Sequence, residues 1–342
     1  MNNKIIDGSK INTKIELHET MKTLFEFPDY YGMNLDAMFD ILSTEKKKMV
    51  ITIKNWNSLK NQLSTYAEDW LYTLKEVEAI NDEIVIEMKN EMIEDQTIKN
   101  FRLDIQYDGG NYKGWQRLGD DNKTIQWRIE QVLSRMFEKE IKILGCGRTD
   151  AGVHAINQVA NFHVASSFDQ EEVRAYLNRY LPDDIAITGV SNESQNFHSR
   201  LSSTQKTYLY RIWQGDWPNP FERKYSMHVR RHLDLNQMKR AAGLFFGTHD
   251  FTAFSNSKSK KKSKVRTVFS IDIDETDKML EIRITGDGFL HHMVRKMMGL
   301  LIEVGLDAVQ PDQVLSILAS KDRSRVKSLA EPQGLFLEKV VY

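Results

Sequence analysis

Two short segments of the chain carry side chains whose types and spacing could do chemistry. In GCGRTDAGVH, residues 145 to 154, Arg148 and Asp150 stand two positions apart between glycines. A carboxylate presented on such a loop is suited to act as a nucleophile or a base. Glycine and aspartate are also the residues that β-turns prefer, so an ordinary turn is the alternative interpretation.

The second segment is GDGFLHHMVRKMMG, residues 286 to 299. A helix that begins near Leu290 places Met293, Met297 and Leu300 on one apolar face, so we expect Arg295 to be partly buried. An unpaired buried charge is costly, and Asp150 is the candidate partner. These two segments together favour a reactive site over a simple turn.

The remaining residues of chemical interest do not form a recognisable site. Cys146 is the only cysteine, so an internal disulfide is excluded, and its apolar surroundings predict a small buried residue. His291 and His292 are adjacent on the predicted helix and would project about 100° apart. His154 and His163 lack the spacing of known metal sites, so no metal site is predicted.

Composition limits the class of protein. The chain has 342 residues, 41% hydrophobic and 28% charged, which predicts two or three globular cores. It lacks a signal-peptide pattern and an apolar run of about 20 residues. We therefore expect a soluble protein of the reducing cytoplasm, without membrane partners.

The charges divide the chain near residue 100. Residues 1 to 90 contain 11 Lys and 15 acids, net −4, and residues 91 to 100 contain one Lys and three acids, net −2. Subtraction from the totals leaves 47 − 12 = 35 basic and 48 − 18 = 30 acidic residues in 101 to 342, net +5. Segment 91–100 is polar and is predicted to be the linker between an acidic and a basic part.

The acidic part, residues 1–90, reads as a small α/β domain. Strands are predicted at 49–53 and 83–87, and helices after Thr13 and over 65–77. A further helix after Asn34 has an apolar stripe, whereas its other side carries Asp36, Phe39 and Asp40. Two like charges at i, i+4 around an exposed aromatic destabilise a helix without structural benefit.

This segment, PDYYGMNLDAMFDIL, resembles the recognition segment of barstar, the intracellular inhibitor of the ribonuclease barnase. The resemblance implies that acids of this domain replace substrate phosphates in a basic ribonuclease active site. The residues that it assigns to the ribonuclease contact are Tyr30, Asn34, Asp36, Phe39, Asp40 and Glu76. One departure is Phe39, because the best-known barstars carry Trp at this place. The alternative is a barstar-like scaffold or adaptor.

The basic part shows the order β-α-β-β-α-β twice, over 101–195 and 196–342. This order predicts two ferredoxin-like halves, each a sheet covered on one face by helices. The overall class is therefore α+β. We expect the uncovered sheet faces to meet across a cleft that suits a nucleic acid, with the GRTDAG loop projecting from a sheet end.

Residues 101–342 resemble the tRNA pseudouridine synthase A family along their whole length. The matching motifs are YDGGNYKGWQ, GCGRTDAGVHA, FHSRLSSTQKTYLY, GDGFLHHMVRKMMG and GLFLEKVVY. The resemblance implies isomerisation of uridine to pseudouridine in the anticodon stem-loop of tRNA, without cofactor or metal. It also implies a homodimer.

The resemblance assigns roles to four residues. Asp150 is the catalytic carboxylate, and Arg295 holds and orients it. Tyr208, which would otherwise be a core aromatic, stacks on the base, and Arg148 helps to extrude the uridine. Extrusion costs a few kcal/mol of unstacking, which binding elsewhere must offset.

A lysine run is the candidate for that binding. SNSKSKKKSKVR, residues 255 to 266, contains six basic residues and no acid, and we expect Lys260, Lys261 and Lys262 to contact phosphates. The alternative is a solvated loop. Two functions remain: an RNA-modifying isomerase with an inhibitor-like domain, or an antitoxin or RNA-binding adaptor with an inactive synthase part.

Overall fold

The computed structural model describes residues 2–89, 98–119, 121–256 and 263–342. The chain forms two units, Met1–Gln96 and Thr97–Tyr342, and each has its own buried apolar cluster. The predicted α+β class is confirmed. None of the helices within the described ranges has the length and hydrophobicity that a bilayer crossing requires.

The N-terminal unit has a three-stranded parallel sheet of order β1-β2-β3. Its elements are β1 (Asn2–Asp7), α1 (Lys14–Phe25), α2 (Leu35–Ser43), β2 (Met49–Lys54), α3 (Trp56–Leu63), α4 (Thr65–Ile80) and β3 (Ile84–Lys89). The strands and helices predicted from apolar periodicity are confirmed, whereas β1 and α3 escaped prediction because they are short and largely polar.

Side-chain caps define where the first two helices begin. The Thr13 hydroxyl accepts a hydrogen bond from the Glu16 backbone N–H at 3.1 Å, while the Glu16 carboxylate accepts from the Asn12 N–H at 2.7 Å. The Asn34 side chain accepts from the Ala37 N–H at 2.8 Å and so starts α2. These bonds satisfy N–H groups that the helix leaves free.

The C-terminal unit contains ten strands and five helices among its described residues. They are β4 (Ile98–Tyr107), α5 (Ile125–Met136), β5 (Leu144–Gly145), β6 (His154–Ala165), α6 (Gln170–Tyr180), β7 (Ile185–Glu193), β8 (Gln205–Trp213), β9 (Met227–His228), α7 (Leu235–Gly243), β10 (Gly247–Asp250), β11 (Val265–Thr276), β12 (Met279–Gly286), α8 (Met293–Gly305), α9 (Gln313–Ser320) and β13 (Leu335–Val341).

The first strand begins earlier than predicted. Because β4 starts at Ile98, residues 98–100, which we expected in the linker, belong to the sheet. Asn100 is fully buried there, and its amide donates to the carbonyls of Ser194 and Phe197 at 2.8 and 2.9 Å. Because these hydrogen bonds come from distant parts of the chain, the sequence alone gives no sign that a polar residue such as Asn100 belongs to the buried sheet.

The apolar segment IKILGC, residues 141–146, predicts a strand, but it joins the ladder with β6 at Leu144–Gly145, and the Cys146 backbone N–H donates to the Val159 carbonyl at 2.7 Å. The backbone N–H groups of Ile141 and Ile143 donate instead to the side chains of Ser134 and Glu130, at 2.9 and 3.0 Å. Side chains of α5 therefore replace the ladder that the apolar pattern suggested.

The two halves share one continuous sheet, in which β13 pairs in parallel with β6. The register places Tyr208, Leu337, Ala155 and Tyr107 side by side across β8, β13, β6 and β4. Since side chains alternate along a strand, Tyr208 shares its face with Tyr210, and the Tyr208 ring meets that of Phe289, four residues before α8, at 5.3 Å between centroids.

The expectation of bare sheet faces meeting across a cleft is therefore wrong. The Thr149 hydroxyl, one residue before Asp150, lies 2.8 Å from that of Tyr107, which places the GRTDAG loop over the face on which α8 packs. On the opposite face, Arg211 pairs with Glu281 at 3.3 Å and Arg283 with Glu338 at 3.1 Å.

Candidate active site

The loop that carries Asp150 is shaped by a second loop packed against it. The Trp115 backbone N–H donates to the Thr149 carbonyl at 3.1 Å. Gly114 has φ +98°, and a Cβ there would lie 2.5 Å from the Thr149 oxygen. A side chain at Gly109 would collide with the Val153 carbonyl at 1.9 Å. Gly109 and Gly114 of YDGGNYKGWQ are thus needed for close backbone approach.

Asp150 and Arg295 meet, as the sequence led us to expect. Nη1 of Arg295 lies 3.2 Å from Oδ2 of Asp150, and Nε donates to the Ala330 carbonyl at 2.8 Å. The side chains of Arg295 and Asp150 are 11% and 20% exposed. The arginine is fixed at two points, while part of the carboxylate stays accessible.

Tyr208 lies beside this loop. It is buried, and its ring meets that of Phe289 edge-on at 5.3 Å between centroids. A Cβ built at Gly147 would lie 3.9 Å from the Tyr208 hydroxyl. Burial raises the pKa of Tyr208 well above its usual value, so the phenol is neutral near pH 7.

Arg148 lies on the same loop but is exposed, and in the described ranges it has no hydrogen bond or ion pair. Its guanidinium is therefore available to a ligand. Lys260, Lys261 and Lys262 lie outside the described residues. Cys146 is fully buried and free, as predicted.

Two histidines of the site were not predicted from the sequence. Helix α8 begins at Met293, not near Leu290, and His292 precedes it in a left-handed conformation with φ 65°. The two imidazoles therefore lie side by side, 3.9 Å between centroids and tilted by 40°, instead of projecting 100° apart. Nε2 of His291 lies 3.4 Å from Oδ1 of Asp150, and Nε2 of His292 lies 3.4 Å from Oδ2.

Asn256 completes this group, although the segment 255–266 that contains it attracted attention only for its basic residues. Its backbone N–H donates to the His291 carbonyl at 3.1 Å, and its amide nitrogen lies 2.8 Å from Nδ1 of His292. Burial lowers the pKa of His292, so this imidazole is neutral near pH 7. With the amide as donor, the ring proton sits on Nε2 and faces Asp150.

The N-terminal unit presents most of its predicted contact residues to solvent. Tyr30 is 85% exposed, and Asp36, Asp40 and Glu76 are exposed, with Glu76 on α4, which packs on α2. Phe39 was expected to be exposed but is half-buried against the core of the unit. It lies on α2 next to the buried Met38, and its ring covers part of the core.

Asn34 is exposed, but its side chain has a local role. Besides capping α2, its amide nitrogen donates to the Gly32 carbonyl at 3.1 Å. Replacing it would therefore affect the helix start as well as any contact with a partner.

Comparison with known proteins assigns both units. The model of the tRNA pseudouridine synthase family matches residues 105–201 and 241–342. tRNA pseudouridine synthase A of Bacillus sp. (strain KSM-64) is 54% identical over 245 residues, 72% of this chain and 100% of the relative. The chain belongs to the tRNA pseudouridine synthase family. A second relative, tRNA pseudouridine synthase A 2 of Clostridium tetani, is 42% identical over 71% of this chain and 99% of its own length.

The barstar (barnase inhibitor) family model matches residues 1–91, so this synthase carries a barstar domain at its N-terminus. Among solved structures, a Cbf5–Nop10–Gar1 complex matches at 14% identity over 59% of this chain and 45% of that chain, with a TM-score of 0.28. That likeness is too low to bear on the site.

The synthase is therefore an isomerase that acts on tRNA. Pseudouridine formation breaks the bond from ribose C1′ to N1 of uracil and forms one from C1′ to C5. The C5 proton leaves and N1 gains a proton, so the reaction has no net oxidation. A protein carboxylate and a pocket that shields the detached base are the groups such a reaction needs.

Proposed function

We propose that Asp150 is the catalytic carboxylate, and that the synthase modifies uridine in the anticodon stem-loop of tRNA. The observation that carries the proposal is the fixed, partly accessible Asp150 carboxylate, which Arg295 contacts at 3.2 Å beside the buried Tyr208. A preorganised charge of this kind needs no rearrangement when charge develops on the reacting base.

Two residues near Asp150, Arg295 and Tyr208, each suit a particular step of the reaction. Arg295 holds the Asp150 carboxylate in place during the stage at which ribose C1′ is bonded to neither N1 nor C5 of uracil. Tyr208, neutral and walled by Phe289, offers the detached uracil a flat apolar surface on which to rotate. The proposal also gives its hydroxyl a part in the step in which the C5 proton departs.

Arg148 suits base extrusion. A uridine in a stem cannot reach Asp150 until it leaves the stack, at a cost of a few kcal/mol. Because the Arg148 side chain is exposed on the same loop as Asp150, its guanidinium can take the place that the base vacates. The basic residues near 258–266 would add phosphate contacts that offset the cost.

The test of substrate choice is a map of pseudouridine in tRNA. Unmodified tRNA transcripts are incubated with the full chain, and pseudouridine is located by chemical labelling and primer extension. We expect modification in the anticodon stem-loop only. Modification confined to another arm would contradict the proposal. A homodimer in the cytoplasm is part of the same proposal, and light scattering of the purified chain tests the dimer.

We also propose that the barstar domain binds a basic, barnase-like ribonuclease. The carboxylates of Asp36 and Asp40 stand at i, i+4 on α2 and have no ion pair or hydrogen bond in the described part of the chain. Tyr30, 85% exposed, precedes them. Unpaired like charges beside an exposed aromatic favour recognition of a cation over folding.

Calorimetry of the full chain against barnase tests this binding. We expect Asp40→Ala to weaken the complex by at least about 2 kcal/mol, the size of an interface hot spot, and the upper extreme of such costs is itself a barstar aspartate. Asp82→Ala, at an exposed position in the turn before β3, is the matched control and should change little. A complex that tolerates Asp40→Ala, or no complex below micromolar, would leave a scaffold as the role of this domain.

A further inference from the structure

Three side chains of the kinds that bind transition metals meet at the proposed catalytic carboxylate. Asp150, His291 and His292 each offer one ligand atom, and these atoms all lie within 4.8 Å of one another. Two imidazole nitrogens and one carboxylate oxygen form a donor set that zinc accepts in sites with an open fourth position.

We propose that Asp150, His291 and His292 form a binding site for a divalent cation of the zinc type, and that a bound cation blocks the isomerase. The ion is an inhibitor here, not a cofactor. The blocking effect rests on the proposed catalytic role of Asp150, whereas the binding itself does not.

The spacing of the ligand atoms supports the site. Zinc binds imidazole nitrogen and carboxylate oxygen at about 2.0–2.2 Å, so neighbouring ligands of a tetrahedral site are about 3.3–3.6 Å apart. Nε2 of His291 lies 3.4 Å from Oδ1 of Asp150, whereas Nε2 of His292 lies 3.4 Å from Oδ2. Because the ligand atoms of the three groups all lie within 4.8 Å of one another, a shift of at most about 1.5 Å brings them to tetrahedral spacing around one ion.

The backbone holds the two histidines in this arrangement. The left-handed conformation of His292, φ 65°, turns its ring beside that of His291. Asn256 fixes both residues, through the His291 carbonyl at 3.1 Å and Nδ1 of His292 at 2.8 Å. With a metal on Nε2, the proton of His292 sits on Nδ1 and the Asn256 amide turns its oxygen to accept it, as outer-shell partners of zinc histidines do.

Arg295 leaves room for the cation. Arg295 contacts Oδ2 of Asp150. The other carboxylate oxygen, Oδ1, faces the imidazole of His291. A cation on Oδ1 can therefore coexist with the ion pair. It would bind directly to the carboxylate that the uridine must approach for reaction.

The experiment is a titration of the tag-free full chain with Co²⁺, a zinc substitute with visible absorption in tetrahedral sites. We expect one bound ion per chain and an absorption that Zn²⁺ abolishes. His291→Ala should remove the signal, and since its side chain is 55% exposed, the variant should fold. Asn256→Ala should weaken binding by about 10–100-fold. The matched control is His163→Ala, an exposed histidine whose Nε2 lies near the Gln195 carbonyl instead.

Retention of the signal in His291→Ala and His292→Ala, or its loss in His163→Ala, would overturn the site. Zn²⁺ should inhibit pseudouridine formation by the wild type over the same concentration range in which it binds, with recovery on chelation. Inhibition without matching binding would overturn the blocking role. Because binding is read from absorption, its failure is distinct from a failure of the proposed catalysis.

Discussion

Replacement of Arg295 by leucine removes the charge that holds Asp150. The arginine makes two hydrogen bonds, to Asp150 at 3.2 Å and to the Ala330 carbonyl at 2.8 Å. A hydrogen bond to a charged group contributes about 1.5–3 kcal/mol, so the two together contribute roughly 3–6 kcal/mol. Asp150 is 20% exposed and remains partly hydrated, so we expect a loss near the lower limit, about 3 kcal/mol.

Thermal unfolding of the full chain measures this loss. A domain of 150–250 residues loses about 2–4 °C of Tm per kcal/mol, so the transition of the synthase unit should fall by roughly 6–12 °C. Turnover should fall by about 10²–10³-fold, the usual effect of removing one preorganised electrostatic contact. Arg240→Leu, which removes an exposed arginine 3.8 Å from Asp312, is the control and should change neither quantity appreciably. An Arg295→Leu chain with wild-type Tm and turnover would refute the role of the ion pair.

Two further predictions concern tRNA affinity and acid stability. Replacing Lys260, Lys261 and Lys262 by alanine should weaken tRNA binding. The slope of log affinity against log salt concentration should become less steep by roughly 0.9 for each phosphate that is no longer neutralised. An unchanged slope would mean that the lysine run is solvated and does not contact phosphates. Burial lowers the pKa of His154 below its usual 6.5, so the folded state holds this imidazole neutral and loses stability as the pH falls below about 6.5. Unfolding midpoints at pH 7.5 and 5.5 should differ less in His154→Gln than in the wild type; His18, whose pKa is also lowered, contributes equally to both chains.

The contacts that could be predicted from sequence follow from strong local rules. Asn34 begins α2 because its side chain satisfies a free N–H, and the buried Arg295 finds Asp150 because a charge inside a protein needs a partner. The twofold β-α-β-β-α-β order follows from periodicity in the same way. Each of these inferences rests on the pattern within single elements or on one buried charge that needs a partner.

The features that escaped prediction depend on distant parts of the chain. The pairing of Phe336 with His154 joins the two halves into one sheet, and no local pattern encodes that register. The side chain of Glu130 accepts the hydrogen bond from the Ile143 backbone N–H, which a regular strand would have donated to its neighbouring strand. His292 adopts a left-handed conformation that is uncommon for residues other than glycine, so the close approach of the two histidine rings could not be inferred from helical geometry.

The most direct test of the central claim is release of tritium from C5 of uridine-labelled tRNA by wild type, Asp150→Asn and Asp272→Asn. The control, Asp272→Asn, makes the same change in charge at an exposed position of β11. We expect Asp150→Asn to release no tritium while it binds tRNA nearly as well as the wild type, because the change removes no phosphate contact. The Asp272→Asn chain should match the wild type. Release by Asp150→Asn at the wild-type rate would contradict the assignment of Asp150 as the catalytic carboxylate.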